Sequence, residues 1–144
     1  MPCARSLAVR WSSPEVGVVE DDGLIRALVV DDDPDMRMLV AMSIDLSVRP
    51  VEVIAVSDGS DAIAKWRSEQ PDVIVMDIRM PNVSGLDLAS EILAESPSQA
   101  IVLFSAYVED GVIDLAEGMG VCEVLEKHQL RDLPTVLEEC VRTR

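Results

Sequence analysis

A doubly wound α/β fold, one five-stranded parallel sheet with helices on both faces, is the fold class that this sequence predicts. Three observations predict it. Short apolar runs alternate strictly with stretches of helical periodicity from about residue 25 to residue 142, which implies parallel strands joined by right-handed crossovers. The runs at 28–30, 73–76 and 101–104 are unbroken, as expected of strands covered on both faces. Polar residues recur just beyond the carboxyl ends of the runs, where open parallel sheets bind their ligands.

The elements follow in order. Strands are expected near 25–31, 51–56, 72–77, 100–104 and 121–125, and helices near 34–46, 58–69, 84–95, 107–118 and 132–142. Asp33 is a natural cap for the first helix, with Pro34 in its first turn. Pro81 and Gly85 mark a turn after the third strand. Ser84 followed by Asp87 resembles a capping box, and Asp132 precedes Leu133-Pro134 in the same style. Glu52 and Glu123 interrupt the second and fifth strands, which suits sheet edges. The order 2-1-3-4-5 satisfies this and is the flavodoxin-like arrangement, with the first and third strands side by side.

At 144 residues and 49% hydrophobic, the chain can bury one core but is short for two ordinary domains. Residues 1–23 hold Pro2, Pro14, Gly17, Gly23 and the acids Glu20, Asp21 and Asp22. They read as a flexible leader before a domain over 24–144. A net charge of −15, from 27 acids and 12 bases, disfavours nucleic acid as a partner and suits a basic one. No segment reaches the roughly 18 apolar residues of a membrane span, and the N-terminus lacks a signal peptide's apolar core. A cytoplasmic location is expected. Cys3, Cys122 and Cys140 are odd in number and lack metal-ligand spacing. Cys140 shares a helical stripe with Leu133, Val136, Leu137 and Val141, and Cys122 falls in a strand, so packing is expected of both rather than a disulfide or zinc.

The chemistry lies at the strand ends. Asp31 and Asp32 end the first strand and Asp77 the third, so the sheet order gathers the three acids in one crevice. Crowded carboxylates raise one another's pKa unless a cation joins them, and an all-oxygen pocket suits a hard divalent ion such as Mg²⁺. Ser105 ends the fourth strand and Lys127 follows the fifth. A hydroxyl and an ammonium converging on a metal-bound carboxylate suit a transferring phosphoryl group. Asp77 is then the natural nucleophile, giving an aspartyl-phosphate.

With these residues in place, the chain from about Leu24 onward resembles the receiver domain of two-component response regulators, the family of the single-domain chemotaxis regulator. The resemblance implies that Asp77 is the phosphoacceptor and that Asp31 and Asp32 hold Mg²⁺ with Asp77. It implies a further metal contact from the backbone carbonyl of Arg79, a switch hydroxyl at Ser105 and a phosphoryl-contacting lysine at Lys127. Met80-Pro81 and Gly85 match the family's turn after the acceptor. A sensor histidine kinase or phosphotransfer protein would be the donor, and output would pass to another protein by docking or phosphorelay, without nucleic acid or membrane.

The chain departs from the family at three places. His128 stands where a cis proline usually follows the lysine, so this turn is either trans or strained. Val124 replaces an aromatic that swings inward in many receivers, so the output surface must be read differently or be weakly coupled. Arg79 and Tyr107 occupy positions that tune phosphoryl lifetime, and their bulk suggests slow self-dephosphorylation. Elsewhere, His128 is expected to be exposed, and Tyr107 and Val124 to pack. Two other readings stay open. One is a pseudo-receiver used only as a binding surface. The other is a haloacid-dehalogenase-like phosphatase built on Asp31 and Asp33, though Asp35 breaks its motif and Asp77 would be idle.

Overall fold

The computed structural model describes residues 23–144, so the expected leader, apart from Gly23, lies outside the described residues. Five strands form one sheet in the order β2-β1-β3-β4-β5, all pairs being parallel. They are β1 (Ile25–Val30), β2 (Val51–Val56), β3 (Val73–Asp77), β4 (Ala100–Ser105) and β5 (Glu123–Glu126). The helices are α1 (Pro34–Ile44), α2 (Ala62–Glu69), α3 (Gly85–Glu95), α4 (Val112–Met119) and α5 (Leu133–Thr143). The fold class, the strand order and the two edge strands are as expected. The central β3 is buried at every residue.

Strand alternation sends successive side chains to opposite faces, and each face has its own apolar core. Leu28, Val30, Ile74, Met76, Ile101 and Leu103 pack with residues of α2, α3 and α4. Val29, Val75, Val102 and Phe104 pack with Val40 and Ile44 of α1 and Leu133 and Leu137 of α5. At the carboxyl ends, β1, β3 and β4 run into loops, with Asp31 just past β1 and Asp77 and Ser105 as the last residues of β3 and β4.

The element ends depart from the expectation where loops override helical pattern. Residues 59–61 form a 3₁₀ turn before α2. Helix α4 begins at Val112 rather than near 107, after Gly111 at φ +85°. The loop ahead of it is held by other bonds, with Ser105 Oγ donating to the Tyr107 carbonyl at 3.1 Å and Val108 N–H to Glu126 Oε2 at 3.0 Å. Tyr107 is therefore 64% exposed rather than packed.

A 3₁₀ segment over Lys127–Asp132 leads into α5, with Glu126 and Gln129 capping each other reciprocally. No cis peptide occurs among the described residues, so the Lys127–His128 bond is trans. Asp33 caps α1 by accepting from Asp35 N–H at 2.9 Å. Ser84 caps α3 through Leu86 N–H at 3.1 Å, without the expected partner bond from Asp87. Asp132 makes no side-chain cap bond.

The cysteine reading needs correction. Cys122 is exposed and precedes β5, and it is disulfide-bonded to Cys140. The stripe that buries Cys140 packs α5 over β4 and its neighbours, and the sheet order brings Cys122, just before the adjacent β5, within reach of it. Pairing of this kind is invisible in sequence spacing.

Gly85 fixes the geometry after β3. Its N–H donates to the Ile78 carbonyl at 2.8 Å, and an added Cβ would lie 2.2 Å from the Asp77 carbonyl oxygen. That atom is backbone and cannot swing away. Gly85→Ala is expected to displace the start of α3 and destabilise the domain by about 2–4 kcal/mol. Urea unfolding of variant and parent measures this, and equal midpoints would refute the close approach.

Candidate functional site

Parallel pairing builds the site. Val30 is in register with Met76, so the residues that follow, Asp31 and Asp77, emerge next to each other. Asp77 is in register with Phe104, which sets Ser105 one residue beyond it on the neighbouring strand. Asp31, Asp32 and Asp77 each offer a carboxylate oxygen, and these lie within 4.8 Å of one another. Asp31 is fully buried and Asp77 is 4% exposed, while Asp32 is exposed.

Each acid is held by its neighbours. Asp31 Oδ1 accepts from Asp33 N–H at 3.0 Å, and Arg37 Nη1 donates to the Asp31 carbonyl at 2.7 Å. Asp77 Oδ1 accepts from Arg79 N–H at 3.1 Å. Lys127 Nζ donates to Asp77 Oδ2 at 3.4 Å and lies 3.9 Å from Asp31 Oδ2. The ammonium also sits 5.5 Å from the centre of the buried Phe104 ring, an attraction that helps to fix its position. The Ser105 hydroxyl is buried but turned to the Tyr107 carbonyl, so it makes no bond to the acids.

Asp31 Oδ2 is buried without a hydrogen-bond partner. Burial, followed by repulsion from Asp77 and Asp32, pushes the Asp31 carboxyl up to about 6, against the opposing Asp33 N–H and Lys127. The rise from 3.8 to about 6 corresponds to roughly 3 kcal/mol between the two protonation states. An orphaned oxygen among three converging carboxylates fits a hard divalent cation, which accepts only oxygen donors of this kind. The donor set lacks the nitrogen and sulfur ligands that zinc favours.

The chain matches the model of the response regulator receiver domain over residues 27–138. It belongs to that family. The receiver is 38% identical over 99 residues to the transcriptional regulatory protein TrcR of Mycobacterium tuberculosis, covering 69% of this chain and 37% of that protein. A protein-glutamate methylesterase/protein-glutamine glutaminase of Vibrio parahaemolyticus is 36% identical over 121 residues, covering 83% of this chain and 31% of the relative. The receiver thus spans about a third of these relatives. Among solved structures, the signal receiver domain of the response regulator NarL from M. tuberculosis superimposes with a TM-score of 0.76 at 27% identity, covering 85% of this chain and 99% of that one. The response regulator domain of Thermotoga maritima CheB gives 0.69 at 31% identity, covering 83% and 94% respectively. No helix among the described residues is long and apolar enough to cross a membrane.

Sequence reasoning missed several participants in the receiver. Arg37 lies on α1 and Glu126 directly before Lys127, and both could have been sought as polar residues flanking the acids and the lysine. Glu109, which pairs with the Arg79 guanidinium, carried no sequence signal. That pair joins the loop after β3 to the loop after β4, beside a cleft of about 550 Å³ lined by Arg79, Ser84, Ser105 and Tyr107. The Asp33 side chain is engaged in capping α1, which takes away the second acid that a phosphatase built on Asp31 would need.

A pH dependence follows from Asp31. Its folded pKa is raised, so its contribution to stability is fully present below 3.8 and is lost as pH rises through about 6. Asp31→Asn keeps an acceptor for Asp33 N–H and removes the charge. In the absence of divalent ions at pH 7.5, it is expected to stabilise the domain by about 2 kcal/mol and to abolish any Mg²⁺-dependent rise in Tm. Thermal melts with Mg²⁺ or a chelator measure both effects. A destabilised variant that still responds to Mg²⁺ would refute the reading.

Proposed function

We propose that this receiver accepts a phosphoryl group on Asp77 from the phosphohistidine of a sensor histidine kinase or phosphotransfer protein. Asp31, Asp32, Asp77 and the Arg79 backbone carbonyl would hold Mg²⁺. When bound, that ion supplies charge neutralisation to the acids and to the incoming phosphoryl oxygens. The observation that carries the proposal is the nearly buried Asp77 carboxylate, with Lys127 Nζ 3.4 Å away and two further acids against it.

Asp77 attacks phosphorus through one carboxylate oxygen. A P–O bond forms, the P–N bond to the donor imidazole breaks, and that nitrogen leaves with its electron pair. Lys127 stands ready to shift from Asp77 to a phosphoryl oxygen, which keeps the ammonium paired throughout. Ser105 exchanges the Tyr107 carbonyl for another phosphoryl oxygen, and the loop after β4 loses one of its ties. Two more ties meet on that loop, from Glu126 to Val108 and from Arg79 to Glu109. With Val124 in place of the swinging aromatic, this loop and α4 are the path by which the new charge reaches the surface.

Output then runs by docking to a protein target or by passing the phosphoryl group onward. The domain over 24–144 acts as a signalling module with self-catalysed phosphorylation and dephosphorylation only, in the cytoplasm. The bulk of Arg79 and Tyr107 over the cleft screens the acyl phosphate from water and slows its loss.

Acetyl phosphate with and without Mg²⁺, followed by intact mass, tests the proposal. One Mg²⁺-dependent phosphate adduct is expected, absent in Asp77→Ala, and Arg79→Ala should shorten its lifetime several-fold. No adduct in a folded parent would instead support a phosphorylation-independent binding module.

A further inference from the structure

Cys122 and Cys140 meet away from the acids, at the seam between the start of β5 and the last turns of α5. Their Cα atoms are 6.0 Å apart, a span that a disulfide bridges without backbone movement. The bond joins residues 18 apart, so β5, Lys127, the 3₁₀ segment and most of α5 lie inside one covalent loop.

Three features separate this bond from a structural staple. Small domains rely on disulfides where their cores are insufficient, whereas apolar clusters here cover both faces of the sheet. The two cysteines are unequal, with Cys122 exposed and Cys140 3% exposed within the α1/α5 cluster. An external thiol therefore meets Cys122 first. Finally, the bond ties α5 to the edge strand that leads into Lys127, the residue that contacts Asp77.

We propose that Cys122 and Cys140 form a reversible thiol–disulfide site that sets the mobility of the β5–α5 unit. The co-reactant is a thiol reductant of the glutathione or dithiol class. Its thiolate attacks the Cys122 sulfur, the S–S bond breaks, and Cys140 leaves as a thiolate that takes up a proton. A second reductant thiolate attacks the reductant sulfur of the mixed disulfide. Cys122 is then released and protonated, and the reductant departs as its own disulfide. Two electrons and two protons enter the protein for each bond opened, and oxidised reductant reverses the sequence. In the open state Cys140 stays packed while the end of α5 is freed from β5. The thiol–disulfide exchange itself requires no phosphoryl transfer to Asp77.

The test uses the full chain with Cys3→Ser, so that the pair alone reports. The protein is equilibrated in glutathione buffers of graded ratio, quenched, unfolded and alkylated for mass analysis. Two alkyl groups are expected in reducing buffers and none in oxidising ones, with the ratio tracking the buffer in both directions. Amide exchange in α5 should be several-fold slower in the oxidised form, and Cys122→Ser, at an exposed position, should reproduce the reduced rates. Two free thiols in every buffer, or a bond that excess dithiothreitol leaves intact in the folded protein, would overturn the proposal. Identical α5 exchange in the two redox states would also overturn it.

Discussion

The rest of the molecule is arranged around three carboxylates that repel one another. Asp31, Asp32 and Asp77 present oxygens within 4.8 Å, and Asp31 is fully buried, where its charged form is least tolerated. Strand pairing holds the acids there. β1 and β3 are central, buried strands in fixed register, and Gly85 packs the start of α3 against the Asp77 carbonyl. The stability of the two cores thus sustains a local electrostatic conflict. Lys127 offsets part of it, at 3.4 Å from Asp77 and 3.9 Å from Asp31. The remainder is seen in the raised pKa of Asp31 and in its orphaned oxygen, which is the property that makes the crevice receptive to positive charge.

The loop after β4 is the element best placed to register a change at that crevice. Ser105, Glu126 and Glu109 each tie it to a different neighbour, and each tie involves a residue at or next to the acidic site. The Arg79–Glu109 pair is largely exposed, so it contributes little to stability and can break at small cost. Bonds of this strength suit a loop that must hold one arrangement and be able to leave it.

Much of this was legible in the sequence. Unbroken apolar runs mark β1, β3 and β4 as interior strands, and Glu52 and Glu123 mark the edges, which is enough to order the strands. That order alone placed Asp31, Asp32 and Asp77 together. Less visible were features set by non-local contacts. The late start of α4 goes with Glu126 reaching Val108 across the strand ends, and the reciprocal Glu126–Gln129 cap shapes the segment after β5. The disulfide was missed because helical periodicity explained Cys140 as packing, and nothing in the spacing pointed from it to Cys122. Residue type suggests packing for Tyr107, although it stands in a loop held by bonds from side chains to its backbone and is left exposed.

The most direct test of the central claim is a calorimetric titration of Mg²⁺ into the domain at pH 6, in buffers of differing ionisation enthalpy. If crowding raises the Asp31 pKa and a cation relieves it, one ion binds and about half a proton is released per ion bound. Binding should tighten toward pH 7.5, where Asp31 is already charged. Binding without proton release, or no binding at either pH, would contradict the account.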